Sequence, residues 1–275
     1  MRNRKQLIVI LGPTASGKSE YAIKLAKKLH GEIISADSRQ VYRGLDIGTA
    51  KINGQLCTDI ANPKTAFSVA EWKKCADNAI ASIFEGGKIP ILAGGSAFYI
   101  RAIADGIVIP EVPPNPKLRK KLEKQPLASL LKILTKKDPG RAKTVDRKNK
   151  RRVVRALEII EALGKVPKFK MERKYDTRFI GIKRTPKELK GRIDRRIREM
   201  LKKGLIREVQ ELRRSGISGK RFSELGFEYK YPALYLQKKI TREEMIAKIN
   251  KETVAYARRQ MLWWKNDKRI KWLKK

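Results

Sequence analysis

The chain has 275 residues and 41% of them are hydrophobic, so it can bury the core of one large or two modest domains. Lysine and arginine number 66 against 28 acidic residues, which gives a formal net charge of +38. This excess favours a polyanionic partner, because phosphate contacts by lysine and arginine release condensed counterions. A generally lysine-rich composition is the alternative explanation, so charge alone does not name the partner.

Cysteine and histidine are scarce, with only Cys57, Cys75 and His30 in the whole chain. This inventory excludes a disulfide framework and a Cys/His zinc site, and free thiols suit a reducing compartment. No apolar stretch approaches the roughly 20 residues that span a bilayer, and the first residues lack the pattern of a signal peptide. We therefore expect a soluble cytoplasmic protein with no membrane partner.

The first predicted strand runs into a glycine-rich loop. Residues 7–11 are all apolar, as in a buried strand, and residues 12–19 (GPTASGKS) fit the phosphate-binding pattern G-x-x-x-x-G-K-[ST]. Glycines let successive N–H groups turn toward an anion, Lys18 adds a positive charge, and the Ser19 hydroxyl can ligate Mg²⁺. The residues predicted to bind phosphate are Gly12, Pro13, Thr14, Ala15, Ser16, Gly17, Lys18 and Ser19.

Two further predicted strands end near this loop. Residues 32–36 lead into Asp37, and residues 89–93 lead into Gly94, Gly95 and Ser96. Ligands gather at the carboxyl ends of parallel strands, so Asp37 could hold a metal or accept a proton. Capping of the next turn is the alternative role for Asp37. The glycine pair suits close approach to a ligand, although a tight strand-to-helix turn would use the same residues.

Three ordered motifs together resemble the tRNA dimethylallyltransferase family. They are the glycine-rich loop, the run from DSRQVY (37–42) through DIGTAK (46–51), and GGSAFY (94–99). The resemblance implies an α/β fold with a P-loop NTPase-like parallel sheet flanked by helices, and a small all-helical insertion domain. We expect residues 1–110 and 175–275 to form the catalytic core and residues 111–174 to form the insertion.

The predicted insertion contains short basic helices broken by prolines. A helix predicted from Asn149 turns apolar residues to a small core, while Arg151, Arg152 and Arg155 stay solvated or contact phosphates. The family's insertion grips the tRNA anticodon stem-loop and carries an Arg-Ala-Leu-Glu signature similar to residues 155–158. The resemblance therefore implies that these arginines bind tRNA, and a merely solvated basic face is the alternative.

The resemblance also implies the reaction. The family transfers a dimethylallyl group from dimethylallyl diphosphate to the exocyclic amine of the adenine 3′-adjacent to the tRNA anticodon, giving N6-dimethylallyladenosine. Asp37 would take the proton of the amine, and Ser96 would orient the amine or the diphosphate. Arg196 lies in a pattern similar to the family's Arg-Ile-x-x-Arg and would reach the diphosphate, which the glycine-rich loop would bind with Mg²⁺ at Ser19. The resemblance also implies tRNA contacts by Asp37, Ser38, Arg39, Gln40 and Ser96.

Three departures from the family pattern are visible. Family members usually carry a paired-histidine segment where this chain has residues 52–60, threonine at Ser96, and arginine at Val254. We expect the apolar stripe of the last predicted helix, which includes Tyr256 and Gln260, to pack in the core, and a platform that stacks on bases is the alternative. We also expect a monomer.

Two other function classes remain open from the sequence. A small-molecule kinase would use the same glycine-rich loop with ATP, but it would not need the Asp-Ser-Arg-Gln run or the basic insertion. A non-catalytic RNA-binding protein would need only the charge, and it would not need the intact loop beside Asp37.

Overall fold

The computed structural model describes residues 5–168 and 170–274. The described residues form two compact units. Unit 1 comprises the residues up to 106 and from 172 onward, and unit 2 comprises residues 107–171. Within the described residues, no helix is long and apolar enough to cross a membrane.

A five-stranded parallel sheet forms the centre of unit 1, with the strand order β2-β3-β1-β4-β5. The strands are β1 (Gln6–Leu11), β2 (Gly31–Ala36), β3 (Ile89–Gly94), β4 (Asp176–Lys183) and β5 (Ile270–Lys274). Parallel pairing needs a crossover between strands, which the helices supply. The α/β class with a parallel sheet flanked by helices, predicted from the sequence, is confirmed.

Twelve helices lie within the described residues. The first three, in unit 1, are α1 (Lys18–Leu29), α2 (Val69–Glu85) and α3 (Ala97–Ala104). Unit 2 contributes α4 (Pro116–Glu123), α5 (Leu127–Lys137), α6 (Pro139–Thr144) and α7 (Lys150–Leu163). Unit 1 resumes with α8 (Pro186–Lys202), α9 (Leu205–Arg214), α10 (Gly219–Leu225), α11 (Phe227–Leu236) and α12 (Arg242–Trp264).

The continuous apolar run of β1 arises because both faces of the sheet are covered. Leu7, Val9 and Leu11 pack in the larger core cluster with α2 and α3, while Ile8 and Ile10 pack on the opposite face against α1. Strand periodicity sends alternate side chains to opposite faces, so both sets must be apolar. The buried strand thereby holds the glycine-rich loop at a fixed edge of the sheet.

The register brings three strand ends to that edge. Leu11 pairs with Gly94, and Gly94 pairs with Ala36, so β1, β2 and β3 end level with one another. The residues that follow, beginning with Gly12, Asp37 and Gly95, therefore emerge side by side.

Unit 2 has a small core of its own. Leu122, Leu130, Leu134, Val153 and Leu157 are buried together in one cluster from α4, α5 and α7. An asparagine caps α7, since the Asn149 side chain accepts the N–H of Arg152. The apolar face predicted for this helix is confirmed.

Candidate active site

The glycine-rich loop has the backbone angles that its sequence predicts. Gly12 and Gly17 have φ of 149° and 94°, values that residues with a side chain rarely adopt. A Cβ atom at Gly12 would lie 2.6 Å from the Ile182 carbonyl oxygen of β4, so only glycine fits there. Gly17 is the N-cap of α1, and the positive end of that helix therefore faces whatever the loop encloses.

Three side chains from the second half of the chain fix the loop backbone. Gln260 Oε1 accepts the N–H of Thr14 at 2.8 Å. Arg192 Nε donates to the Ala15 carbonyl at 2.6 Å, and Arg184 Nε donates to the Ser16 carbonyl at 3.2 Å. The loop conformation is thus specified by α8 and α12 as well as by its own glycines.

Lys18 lies at the base of the cleft. Its Nζ donates to the Pro13 carbonyl at 3.3 Å. Burial lowers the pKa of Lys18 to about 8, with a further contribution from the charge of Arg196 and opposition from Asp37. A buried ammonium group next to a second cation is stabilised by an anion, so this position favours a phosphate ligand.

Asp37 stands at the end of β2, on the wall of the same cleft. Its Oδ1 accepts the N–H of Arg39 at 2.9 Å, which is the turn-capping role that the sequence left open. A carboxylate has a second oxygen with its own lone pairs, so capping leaves acceptor capacity for a ligand. The capping role and the proton-accepting role are therefore compatible.

Ser96 follows β3 beside the Asp37 turn. Its hydroxyl accepts the N–H of Ser38 at 3.1 Å and lies 3.4 Å from the Ser38 hydroxyl. The two loops can approach so closely because Gly94 has no side chain, and a Cβ atom there would lie 2.1 Å from the Ala36 carbonyl oxygen. The structure thus brings Asp37, Ser38 and Ser96 together, as the motifs predict.

Arg39 and Gln40 line the cleft and are held by contacts inside the protein. Arg39 pairs with Glu228 at 3.0 Å, and its guanidinium lies 5.3 Å from the centre of the Phe227 ring. Gln40 is 8% exposed, accepts the Ser35 hydroxyl at 2.6 Å and donates to the Thr49 carbonyl at 3.1 Å. Their predicted tRNA contacts therefore remain predictions, and the observed contacts are internal.

The cleft has a volume of about 470 Å³. Arg192, Arg195 and Arg196 of α8 line it together with Lys18, opposite Asp37. Within the described part of the chain, the guanidinium group of Arg196 makes no hydrogen bond or ion pair. The cleft therefore offers several positive charges to an anion. Its lining also includes four acidic residues, Asp37 together with Glu20, Glu199 and Glu228.

The loop around residues 46–52 lines one side of the cleft, and Glu208 holds its backbone. The Glu208 carboxylate accepts the N–H groups of Asp46, Ile47 and Gly48 at 3.1, 2.7 and 3.1 Å, and the Tyr229 hydroxyl at 2.9 Å. Gly48 packs on Tyr229, where a Cβ atom would lie 2.6 Å from the ring. Glu208 from α9 thus shapes the wall without facing the ligand space.

The residues present fit Mg²⁺ only as a partner of a bound phosphate. No cluster of three His, Cys, Asp or Glu side chains that could hold a metal occurs in the described ranges. Mg²⁺ binds through few protein ligands and completes its shell with water and phosphate oxygens. Ser19 lines the cleft, and its hydroxyl could be one of these few protein ligands.

The predicted tRNA-binding arginines of unit 2 differ from one another. Arg155 donates to Glu158 at 2.5 Å and to the Val112 carbonyl at 2.7 Å, so its guanidinium is used internally. Arg152 lies 3.5 Å from Asp146, and its side chain is half exposed. Arg151 is exposed, and no partner for its side chain is found among the residues that the structure describes. Arg151 is therefore the most available of the three.

Glu158, the last residue of the Arg-Ala-Leu-Glu signature, is 2% exposed. Its carboxylate accepts two hydrogen bonds from the Arg119 guanidinium at 2.9 and 2.8 Å and one from Arg155 at 2.5 Å. It also accepts the backbone N–H of Asn115 at 2.6 Å. Burial opposes its charge, but the bonds from Arg119, Asn115 and Arg155 hold the pKa of Glu158 below its ordinary value. The signature therefore builds the interior of unit 2.

Sequence reasoning missed the roles of Arg192, Glu208 and Gln260. Gln260 was placed in a core stripe, and it is indeed buried, but it also lines the cleft. A buried amide must find hydrogen-bond partners, so its position in that stripe was a usable signal. Arg192 is the first arginine of the Arg-Ile-x-x-Arg pattern, but no comparable local signal marks Glu208.

Comparisons with known proteins identify the family of the chain. The family model described as IPP transferase matches residues 40–267. The tRNA dimethylallyltransferase of Syntrophomonas wolfei is 38% identical over 281 residues, covering 97% of this chain and 91% of the relative. That of Halothermothrix orenii is 39% identical over 283 residues, covering 97% and 86%.

Two solved structures are also similar. The full-length tRNA isopentenylpyrophosphate transferase of Bacillus halodurans has a TM-score of 0.73 at 35% identity, covering 98% of this chain and 90% of its own. A eukaryotic dimethylallyltransferase acting on tRNA has a TM-score of 0.84 at 28% identity, covering 98% of this chain and 74% of its own. This chain belongs to the IPP transferase family.

Proposed function

We propose that this chain transfers a dimethylallyl group from dimethylallyl diphosphate to the exocyclic amine of the adenine 3′-adjacent to a tRNA anticodon. The observation that carries the proposal is the single cleft that Lys18 and the glycine-rich loop share with Asp37. An anion site next to a carboxylate suits a reaction in which a diphosphate leaves and a proton is lost. The curated relatives named above are tRNA dimethylallyltransferases, which supports the same reaction.

The basic groups of the cleft act on the leaving diphosphate. The allylic carbon–oxygen bond breaks and its electron pair departs with the diphosphate, so negative charge grows on those oxygens. We assign its neutralisation to Lys18, Arg196 and the loop N–H groups other than those of Thr14 and Ser16, which are bonded inside the protein. Preorganised donors are effective where water is excluded. Arg192 contributes by holding the Ala15 carbonyl, and its guanidinium also lines the cleft.

Mg²⁺ held by the Ser19 hydroxyl and the diphosphate oxygens would add further charge neutralisation. Ser16 lies in the same loop but does not line the cleft. Its hydroxyl is buried and makes no hydrogen bond within the described residues.

Asp37 acts on the other reactant. As the carbon–nitrogen bond forms, the adenine amine becomes cationic and its proton passes to the Asp37 carboxylate. Ser96 and Ser38, which are hydrogen-bonded to each other beside Asp37, are the hydroxyl groups that we assign to contact with the base. The adenine must leave its stack to reach the cleft, and an anticodon loop makes this extrusion inexpensive.

The exposed basic residues of unit 2 support recognition of the anticodon stem-loop. Phosphate contacts fix the register of an RNA without reading its sequence, so a basic helical unit serves to position the loop. Arg151 and Arg152 of α7 are the side chains that we assign to this contact.

The test is mass spectrometry of the nucleosides of an unmodified tRNA transcript incubated with the protein, Mg²⁺ and dimethylallyl diphosphate. We expect one adenosine to gain five carbons. Asp37→Asn should lower the single-turnover rate by about 10²- to 10⁴-fold, because the amide can still accept the Arg39 N–H but cannot take a proton. Asp77→Asn is the matched control, since Asp77 pairs only with Lys73 on α2 among the described residues.

Two outcomes would contradict the proposal. Unmodified adenosine across several tRNAs, together with ATP consumption in the presence of a small acceptor, would indicate the kinase. Binding of tRNA without any turnover would indicate a non-catalytic RNA-binding protein.

A further inference from the structure

Gln260 connects the two loops of the cleft. It lies on α12, is 5% exposed, and uses both ends of its amide. Its Oε1 accepts the N–H of Thr14 in the glycine-rich loop at 2.8 Å. Its Nε2 donates to the carbonyl of Gly95, in the loop that carries Ser96, at 3.0 Å. One side chain therefore spans the diphosphate side and the base side of the proposed site.

The fit around this amide is tight. A Cβ atom at Gly95 would lie 2.1 Å from Gln260 Nε2, so the Gly95 backbone is pressed against the side chain. Thr14 is also almost fully buried. Neither loop can shift without moving the amide, and a rotation of the amide that favours one bond breaks the other.

The chemistry of the two partners selects this residue type. Thr14 offers a backbone N–H and needs an acceptor, whereas Gly95 offers a carbonyl and needs a donor. A primary amide supplies both in a fixed plane. A glutamate at position 260 would keep the acceptor and lose the donor, and a methionine would lose both while filling a similar volume.

We propose that Gln260 is a positioning residue that couples the binding of the diphosphate to the binding of the RNA. The proposal rests on the proposed function, because it assigns one substrate to each loop. A diphosphate that orders the glycine-rich loop fixes the Thr14 N–H, which fixes the amide and through it the Gly95–Ser96 loop. Coupling between two ligands is reciprocal, so bound RNA favours diphosphate binding by the same factor.

The experiment measures the affinity of an anticodon stem-loop RNA with and without inorganic pyrophosphate and Mg²⁺. For the wild type we expect pyrophosphate to tighten RNA binding by about tenfold. Gln260→Met should reduce this factor to less than about twofold, because both connecting bonds are lost. Gln260→Glu keeps the size of the side chain and the Thr14 bond, and it should also lose the coupling because Gly95 loses its donor.

Thr253→Val is the matched control. Thr253 lies seven positions earlier on the same buried face of α12. Among the described residues, its hydroxyl donates only to the Ile249 carbonyl of its own helix, at 2.7 Å. This variant removes a buried polar group without touching either loop, so its coupling factor should equal that of the wild type. Melting temperatures of all variants separate loss of coupling from loss of folded protein.

Three results would overturn the inference. A Gln260→Met or Gln260→Glu protein that folds and keeps the tenfold coupling would show that the amide does not connect the sites. A wild type that binds both ligands independently would refute the coupling and leave the proposed function standing. A wild type that binds neither pyrophosphate nor the RNA would contradict the proposed function and the coupling together.

Discussion

Arg196 in the cleft of unit 1 and Arg155 on α7 of unit 2 differ in whether an acidic group inside the protein pairs with them. In the cleft, Arg196 makes no hydrogen bond or ion pair within the described residues. Burial, and after it the charge of Arg196, lowers the pKa of Lys18. On α7, Arg155 is neutralised by the buried Glu158, which also binds Arg119. An arginine near a predicted site is therefore available to a ligand only where no internal acid has already taken it.

The same contrast exists inside unit 1. Arg39 follows Asp37 in the motif, yet it pairs with Glu228 and its guanidinium lies over the Phe227 ring. Gly226 makes room for it, since a Cβ atom there would lie 2.1 Å from Arg39 Nη1. The position of an arginine in a motif thus does not decide whether it contacts substrate.

The largest effect should come from breaking the internal pairing of unit 2. Glu158→Gln removes the charge that holds Arg119 and Arg155, which leaves two guanidinium groups without their ion pair. We expect the free energy of unfolding to fall by about 3 kcal/mol, measured by denaturant titration. Glu161→Gln is the control, because Glu161 is largely exposed and lies 3.4 Å from Lys137; it should change stability by less than about 0.5 kcal/mol. Equal stability of the two variants would refute the structural role of Glu158.

Raising the pH tests whether the positive charge of Lys18 in the cleft is available to a bound anion. Burial lowers the pKa of Lys18 to about 8, so between pH 7 and 9 the free enzyme loses this charge. We expect the KM for dimethylallyl diphosphate to rise about tenfold over this range, because only the ammonium form attracts the anion. Lys18→Met should start from a high KM and show no step near pH 8.

Raising the pH affects the contribution of Lys18 to protein stability and its contribution to substrate binding in opposite directions. The folded-state pKa of Lys18 lies below its ordinary value of 10.5, so the unfolded chain binds more protons between pH 8 and 10.5. The contribution of Lys18 to stability therefore rises with pH in that window while substrate binding weakens. A KM that stays constant from pH 7 to 9 would contradict the assignment of Lys18 to the anion site.

Local patterns explain which parts of this picture the sequence predicts. The strands β1 to β3 and the glycine-rich loop depend on neighbouring residues, and all are found. Asp37 could be placed near the loop because parallel strands share a carboxyl edge. These features need no knowledge of distant contacts.

The remaining features depend on contacts between distant parts of the chain. Gln260 and Thr14 are 246 positions apart, and Arg192 and Ala15 are 177 positions apart. Gln40 shares a motif with Asp37 but turns inward, because Ser35 and Thr49 satisfy its amide. Pairing of this kind is decided by the tertiary structure, and a single sequence contains no periodic signal for it.

Arg151 and Arg155 on α7 allow an available arginine and an internally paired arginine to be compared on one helix. Arg151→Gln should reduce the salt dependence of stem-loop binding by a slope of about 0.9, the value for one phosphate contact with a duplex, and leave stability unchanged. Arg155→Gln should do the reverse, because its guanidinium binds Glu158 and the Val112 carbonyl. Binding measured from low to high salt, with unfolding in parallel, distinguishes the two. An unchanged salt slope for Arg151→Gln would remove it from the RNA interface.

The smallest expected effect concerns Gln55, which lines the cleft in the segment where the family usually has paired histidines. Its Oε1 is buried and has no hydrogen-bond partner among the described residues. A buried acceptor without a partner costs about 1 to 3 kcal/mol, so Gln55→Leu should raise the free energy of unfolding by about 1 kcal/mol.

The same substitution should raise the KM for RNA, because the adenine amine and the ribose hydroxyls can donate hydrogen bonds to Gln55. The diphosphate carries no such donor. We expect the KM for the stem-loop RNA to rise by about fivefold, the equivalent of about 1 kcal/mol, while the KM for dimethylallyl diphosphate stays constant. Gln237→Leu, at the end of α11 and outside the cleft, is the control and should change neither KM. A Gln55→Leu protein with a higher free energy of unfolding and an unchanged KM for RNA would show that the Gln55 acceptor faces no donor on the substrate. Gln55 would then be like Arg155, which serves the interior of the protein, and unlike Arg196, which is available to a ligand.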